Sequence, residues 1–412
     1  MRITGWLIGI LLGCWAVSGK VGASEWPMFN GTVNALGYTT TLVYPPLQLR
    51  WRFVASGGFY FTPAVVKGRV YVGCLDYNVY AIDAETGEPL WGYHTNGPVY
   101  SGATVVDGVV YIGSSDNNVY ALDAETGRRR WKFPVDGQIY APPLVHEGIV
   151  CVGTGDSPRL YAVDAQTGQQ KWTFELGARL GSAMAAAEGV LYAGSYDRHL
   201  YALEIETGAV RWQFAAHGLV DSCPAVAGDL VYIKTPDDHV YALDAATGEL
   251  KWHYESQRPA EEATQTLNWS PLAVAHGLIY FGSRDGHLYA LDAATGQRKW
   301  AFEAADEVAS SPTIAGEVAY FGAKDGSLYA LNARTGALLW RRQPERPAQG
   351  QLLRGIMWPP AVVEGSVYVS SYEGSVYAFS GAAEPEAAAT EPLTAPPPRR
   401  PRNIFEEIEQ EG

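Results

Sequence analysis

The sequence predicts an all-β protein in which eight four-stranded antiparallel units close into a ring, an eight-bladed β-propeller, and three observations predict it. A motif of about 40 residues recurs along the chain. Inside each copy, short alternating apolar runs are separated by tight-turn residues. The 412 residues include 13 Trp and 25 Tyr, and only 18% are charged. Such a balance favours sheet over helix, because aromatic and β-branched side chains suit a pleated, half-buried surface.

The repeat is plainest from Tyr80 to Trp91, YAIDAETGEPLW. Related copies begin at Tyr120, Tyr161, Tyr201, Tyr241, Tyr289 and Tyr329, and a truncated eighth runs from Tyr377 to Gly381. In the first unit, strands are expected at Ala64 to Val66, Val70 to Gly73, Val79 to Asp83 and Leu90 to Tyr93. Turns separate them at Lys67-Gly68, Asp76-Tyr77-Asn78 and Glu85-Thr86-Gly87. The Tyr of the third strand and the Trp of the fourth each occur eight times, but the Trp set starts early, at Trp51, and the last unit has none. Leu49 to Val54 is therefore expected to serve as the outer strand of the last blade, placing Trp51 near Tyr377. Pairing the chain ends locks the ring and removes an exposed edge. The propeller then occupies residues 47–380, after a lead-in segment at 24–46.

The ends differ in kind. Residues 1–23 read as an export signal: Arg2, a mainly apolar Ile3 to Val17, and small residues at Val21-Gly22-Ala23 before Ser24. At about 15 residues the apolar run is too short to span a bilayer comfortably. Leu11-Leu12-Gly13-Cys14 also resembles a lipobox, which would give a lipid anchor through Cys14, and an uncleaved anchor is a third reading. Each reading sends the folded body out of the cytoplasm, to the periplasm or cell envelope. Residues 381–412 are rich in Ala, Glu and Pro and read as a disordered tail. Its end, from Asn403 to Gly412, offers either a short docking helix or a plain tail. The net charge of −14 argues against nucleic acid as a partner. Cys74, Cys151 and Cys223 fall in three non-adjacent blades, so no disulfide is expected.

The pattern A-x-D-x-x-T-G-x-x-x-W, met here as Ala81, Asp83, Thr86, Gly87 and Trp91, resembles the tryptophan-docking motif of the PQQ-like propeller repeats. Trp26-Pro27-Met28-Phe29 with Gly31 and Gly37-Tyr38 resembles the lead-in of secreted members. The resemblance implies that Trp51, Trp91, Trp131, Trp172, Trp212, Trp252, Trp300 and Trp340 lie flat between adjacent blades as structural residues. Glu204 and Asn332 depart from the motif's Asp, and both can still accept hydrogen bonds in a turn. One branch of the family holds quinoprotein dehydrogenases with PQQ and Ca²⁺, an adjacent Cys pair, and a Glu, Asn and Asp calcium set. This sequence has no adjacent cysteines. Another branch resembles BamB, an exported assembly factor without a cofactor.

Functional residues on a repeat scaffold lie where the copies depart from one another. Where the chain reaches each innermost strand, blades one to three carry Tyr60, Tyr100 and Tyr140, blades six and eight carry Trp269 and Trp358, and blade five carries Asp221. These could form an aromatic, weakly acidic axial mouth that binds a peptide or small ligand, or could simply plug the funnel. Lys234, counted with the mouth, replaces a Gly found in most copies and could pair with Asp221 or Asp237 or touch a ligand there, or stand exposed at a strand end. Once per blade an acid (Asp76, Asp116, Asp156, Asp197, Asp237, Asp285, Asp325, Glu373) stands in the second turn, as turn chemistry requires. Insertions at 256–267 and 343–355 should overhang the same face. The eight His show no metal-ligand spacing, and no metal site is expected from them. The reading is a non-catalytic exported scaffold with a protein partner in the envelope and no cofactor. A PQQ- and Ca²⁺-dependent enzyme and an extracytoplasmic ligand sensor are the alternatives.

Overall fold

Apolar alternation and Gly-bearing turns produce short strands and hairpins throughout the computed structural model, which describes residues 25–255, 271–308, 310–342 and 358–382. The export signal, both insertions, Trp269 and the tail lie outside the described residues. Among the described residues no helix is long and apolar enough to cross a membrane. Two strands, β1 (Tyr38–Thr39) and β2 (Tyr44–Val54), precede the first blade, which comprises β3 (Ala64–Val66), β4 (Arg69–Gly73), β5 (Asn78–Asp83) and β6 (Pro89–His94). The same order recurs as β7–β10 (104–134), β11–β14 (144–175), β15–β18 (185–215), β19–β22 (225–254), β23–β26 (273–303) and β27–β30 (313–342). The eighth blade has β31 (Ala361–Val363), β32 (Ser366–Ser371) and β33 (Ser375–Ala382), with β2 as its outer strand. Eight antiparallel four-stranded blades result, one of them extended by β1.

The closure follows the count of Trp residues. In β2 and β33, Trp51 lies opposite Ala378 and Arg52 opposite Tyr377, after a register shift between Leu49 and Trp51. Blade two has the same shift between Arg129 and Trp131. One extra residue ahead of each Trp is a β-bulge, which bends the outer strand and re-aims the ring. The indole then lies on the turn of the next blade. Trp51 Nε1 donates to Ala84 O at 3.1 Å, Trp91 to Ala124 O at 3.1 Å and Trp131 to Ala165 O at 2.9 Å. Trp172, Trp212, Trp252 and Trp300 repeat the bond to Ile205, Ala245, Ala293 and Ala333. Gly87 carries a φ of +80°, and a Cβ there would sit 2.7 Å from the Trp51 ring. Only Gly meets both demands.

Each receiving turn is held by its own acid. Asp83 Oδ1 accepts from the Thr86 amide at 2.8 Å and the Thr86 hydroxyl at 3.0 Å. These bonds, with burial opposing them, hold the Asp83 carboxyl below its ordinary value. Glu204 and Asn332 do the same work: Thr207 donates to Glu204 at 3.2 Å and the Thr335 amide to Asn332 at 3.0 Å. On the same face, the innermost hairpins turn through pairs such as Lys67 (φ 51°) and Gly68 (φ 70°), the two positive angles of a type I′ turn.

The lead-in occupies the centre of the ring. Inner-strand amides at Val65, Val105, Ala186, Val226, Val274 and Ile314 donate to carbonyls of Trp26, Pro27, Val33, Asn34, Leu36 and Gly37. Residues 26–37 thus wrap inside six of the eight inner strands, and β1 leaves alongside β27 as a parallel pair. Buried amides that face the axis need partners, and this segment supplies them.

Trp51 is 8% exposed and joins the blade-eight and blade-one cores. Trp51→Ala should lower the unfolding free energy by about 3–5 kcal/mol, measured by urea denaturation. A loss below about 1 kcal/mol would mean that the closing indole is not a main structural contact.

Candidate functional site

In each blade the connection into the inner strand and the turn between the second and third strands open on one face, here called the mouth. On this face Tyr60, Tyr100, Tyr140 and Trp358 come together. Tyr60 and Tyr100 pack edge to face at 5.3 Å, and Tyr100 and Tyr140 at 5.4 Å. Tyr60 also meets Trp358 at 5.6 Å and Tyr372 at 5.5 Å. The three arc tyrosines are half-buried, whereas Trp358 is 6% exposed. Trp358 stacks on Phe61 at 4.7 Å, and Phe29 of the lead-in packs edge-on against Phe61 at 5.2 Å. The lead-in therefore floors the arc, and the rings combine the two roles that the sequence left open. Phe61 and Trp358 plug, while the three tyrosines present surface.

A recess of about 350 Å³, including solvent at its opening, continues the arc towards blade four. Tyr140, Phe61, Arg179, Ser182 and Tyr196 line it. The Arg179 guanidinium lies 4.2 Å from the Tyr196 ring centre and donates to Gly155 O at 3.3 Å. Tyr140 rests on Gly155, where a Cβ would come within 2.0 Å of its ring. Its hydroxyl donates to Gln138 at 2.9 Å, and burial with the Asp156 charge raises its pKa.

Two expected members of this mouth are buried instead of presenting surface. Asp221 is 0% exposed, its backbone pressed against Gly181, so it adds no surface acidity. Lys234 is also 0% exposed, contrary to a strand-end position in solvent, and its partner is neither Asp221 nor Asp237. Lys234 Nζ donates to Asp238 Oδ1 at 3.0 Å and to Gly282 O at 3.3 Å. Ser283 Oγ donates to the other Asp238 oxygen at 2.6 Å, and the Phe281 ring lies 5.8 Å from Nζ. The pair joins blades five and six, and a charge buried this deeply must be paired and hydrogen-bonded.

Four of the second-turn acids brace their turns by accepting from the third-strand tyrosine. Tyr80 donates to Asp76 at 2.8 Å, and Tyr120, Tyr201 and Tyr289 donate to Asp116, Asp197 and Asp285 at 2.5 Å. Cys74, Cys151 and Cys223 are buried free thiols, and burial pushes the Cys74 pKa up to about 12.

Blade five breaks the pattern in a way that the sequence spacing concealed. The Tyr241 hydroxyl meets His217 Nδ1 at 3.3 Å, and His217, His239 and His253 converge. One ring nitrogen from each lies within 4.8 Å of the others. The expectation that the histidines scatter is thereby corrected. His239 lies just before the third strand, two residues ahead of Tyr241, and His253 is the cross-strand partner of Tyr241. His217 reaches them from the connection between blades four and five. Burial, then the charges of His239 and His217, hold His253 below its ordinary pKa.

With the ring and its mouth described, the comparisons are informative. The family model described as "Outer membrane protein assembly factor BamB" matches residues 47–101, 76–179, 157–269 and 261–398. The chain belongs to this family of PQQ-like propellers. BamB from Moraxella catarrhalis is similar at 20% identity and a TM-score of 0.67, over 81% of this chain and 99% of that one. Quinohemoprotein alcohol dehydrogenase from Comamonas testosteroni is similar at 18% identity and a TM-score of 0.75, over 89% and 82%. The computationally designed Ika8 protein is similar at 18% identity and a TM-score of 0.69, over 81% and 99%. At these identities the likenesses concern the fold. No curated protein sequence matches the chain significantly.

Lys234→Ala should cost about 3–5 kcal/mol of stability by removing the buried Lys234 cation from the Asp238 carboxylate and the Gly282 carbonyl, measured by urea denaturation. A cost within about 0.5 kcal/mol, as for surface substitutions, would contradict the buried pair.

Proposed function

We propose that this PQQ-like propeller is a non-catalytic extracytoplasmic scaffold that holds a protein partner at its mouth, through Tyr60, Tyr100, Tyr140 and Trp358. One observation carries the reading: four contiguous rings from four blades, three of them half-exposed, fixed over the floor that Phe29 provides. Large rings with few torsions gain contact area at low entropic cost and are typical binding hot spots. Arg179, at the edge of the recess beside Tyr140, supplies a cation for a carboxylate on the partner. The export signal read at residues 1–23, with either cleavage after Ala23 or lipid attachment at Cys14, supports a location in the periplasm or cell envelope. The family's description as an outer-membrane assembly factor agrees with a protein partner there.

The alternative of a PQQ-dependent dehydrogenase draws support from the fold shared with quinohemoprotein alcohol dehydrogenase. Its centre, by family resemblance, needs adjacent cysteines and a Glu, Asn and Asp calcium set. Here the thiols stand singly in blades one, three and five, and the lead-in bonds to six inner strands around the axis. The residues present do not fit that group.

Crosslinking and pull-down from an envelope fraction should recover a partner with the wild-type chain. The double substitution Tyr60→Ala, Tyr100→Ala should weaken that partner's binding by about thirtyfold or more, as for the loss of hot-spot rings, with the circular dichroism of the folded ring retained. Unchanged affinity would sink the mouth as the docking surface. PQQ with Ca²⁺ should leave the melting temperature unmoved, whereas a rise of several degrees would favour the enzyme reading.

A further inference from the structure

One strand and two connecting segments bring three imidazoles together at the mouth-side edge of the cleft between blades four and five: His253 from β22, His239 from the turn before β21 and His217 from the connection that leads into blade five. His239 Nδ1 and His253 Nε2 stand 2.9 Å apart, and the His217 and His253 ring centres 5.7 Å apart. His253 stacks on Tyr241 at 4.4 Å and 9°, which fixes the plane of its ring. His217 is exposed, and the other two are half-buried.

The cluster departs from the repeat at two of its three positions, His253 in blade five and His217 in the connection that leads into it. One residue after the docking Trp, where blade five has His253, other blades have Gly92, Lys132, Thr173 and Gln213. Five after the Trp that precedes blade five comes His217, where Asn96, Asp136 and Gly177 stand elsewhere. His239 has counterparts in His199 and His287, but neither meets further imidazoles among the described residues. Asp237 departs too. Its counterparts in blades one, two, four and six accept from the third-strand Tyr, but Tyr241 turns to His217. Asp237 instead accepts from Thr235 and lies 3.8 Å from His239 Nε2.

We propose that His217, His239 and His253 bind one divalent transition-metal ion of the zinc class, with Asp237 as a positioning residue behind His239. Packing gives no reason for three imidazoles to face one another at a half-exposed edge, where each must find a donor or acceptor. A metal ion accepts a lone pair from each. Zn–N distances of about 2.0–2.1 Å in tetrahedral geometry need ligand nitrogens roughly 3.4 Å apart; the three nitrogens here lie within 4.8 Å, so that His239 and His253, at 2.9 Å, need only part slightly to admit an ion. With His239 Nδ1 on the metal, its Nε2–H faces the Asp237 carboxylate, the arrangement that fixes the tautomer of a ligating histidine. Three protein ligands and the solvent exposure of His217 leave a fourth position open to water or to a donor atom from outside the chain.

The test uses the full chain without a polyhistidine tag, stripped with a chelator and titrated with Zn²⁺ against a competing indicator. One ion per chain is expected. His253→Gln or His239→Asn should lower the affinity by more than the 10–100-fold typical of losing an outer partner, and Asp237→Asn by about 10–100-fold. Affinity in the triple variant His217→Asn, His239→Asn, His253→Gln equal to wild type would overturn the site, as would no uptake by wild type. In case that variant fails to fold, diethylpyrocarbonate labelling of wild type reads the site independently. Zn²⁺ should shield His217, His239 and His253 but not the exposed His94, and equal labelling with and without Zn²⁺ would also overturn it.

Discussion

The structure depends on one contact made at seven of the eight blade boundaries: an indole laid on the glycine of the neighbouring blade's outer turn, with its N–H satisfied by a backbone carbonyl. Twisted sheets arranged around an axis leave a wedge between them, and a large planar ring fills it without a buried unsatisfied donor. Each element of the turn follows from that need. Gly87 leaves room for the ring of Trp51, Asp83 and Thr86 hold the turn, and a bulge ahead of the Trp sets its angle. Since each unit contacts mainly its neighbours, the ring is complete only when the last unit finds the first. The strand that carries Trp51 makes that connection.

This frame was legible in the sequence because repetition amplifies it. A single Asp-x-x-Thr-Gly is a weak signal, but five copies, with two more led by Glu204 and Asn332, fix the strands, the turns and the inter-blade ring together. Counting Tyr against Trp exposed the borrowed strand without any geometry. The arc of Tyr60, Tyr100 and Tyr140 was legible for the same reason in reverse, as a departure at one register position. What the sequence hid was long-range and unrepeated. The lead-in joins six inner strands mainly through backbone carbonyls, and backbone bonds leave little trace in residue identity. Lys234 was misplaced because Asp238 sits beside the expected Asp237 in the same turn, and because Ser283 and Gly282 come from the next blade. The three histidines carry no ligand spacing along the chain, and their convergence depends on the pairing that sets His253 opposite Tyr241 and on the path of the connection that carries His217.

The rest of the molecule divides along that line. Positions that recur are buried in blade cores and turns, and they carry the free energy of folding. Positions that do not recur gather on the mouth face: the aromatic arc over blades eight, one, two and three, the Arg179 recess beside it, and the imidazole edge between blades four and five. The lead-in seals the axis beneath, so a ligand approaching the mouth meets a floored surface rather than an open channel.

The division of the ring into a structural frame and a recognition face can be tested by hydrogen–deuterium exchange on the chain with and without a partner captured from the envelope. The account predicts slowed exchange in the connections around residues 58–61, 98–101 and 138–141, with the turns at 85–87 and 125–127 on the opposite face unchanged. Protection confined to those opposite turns, with none at the mouth, would contradict it.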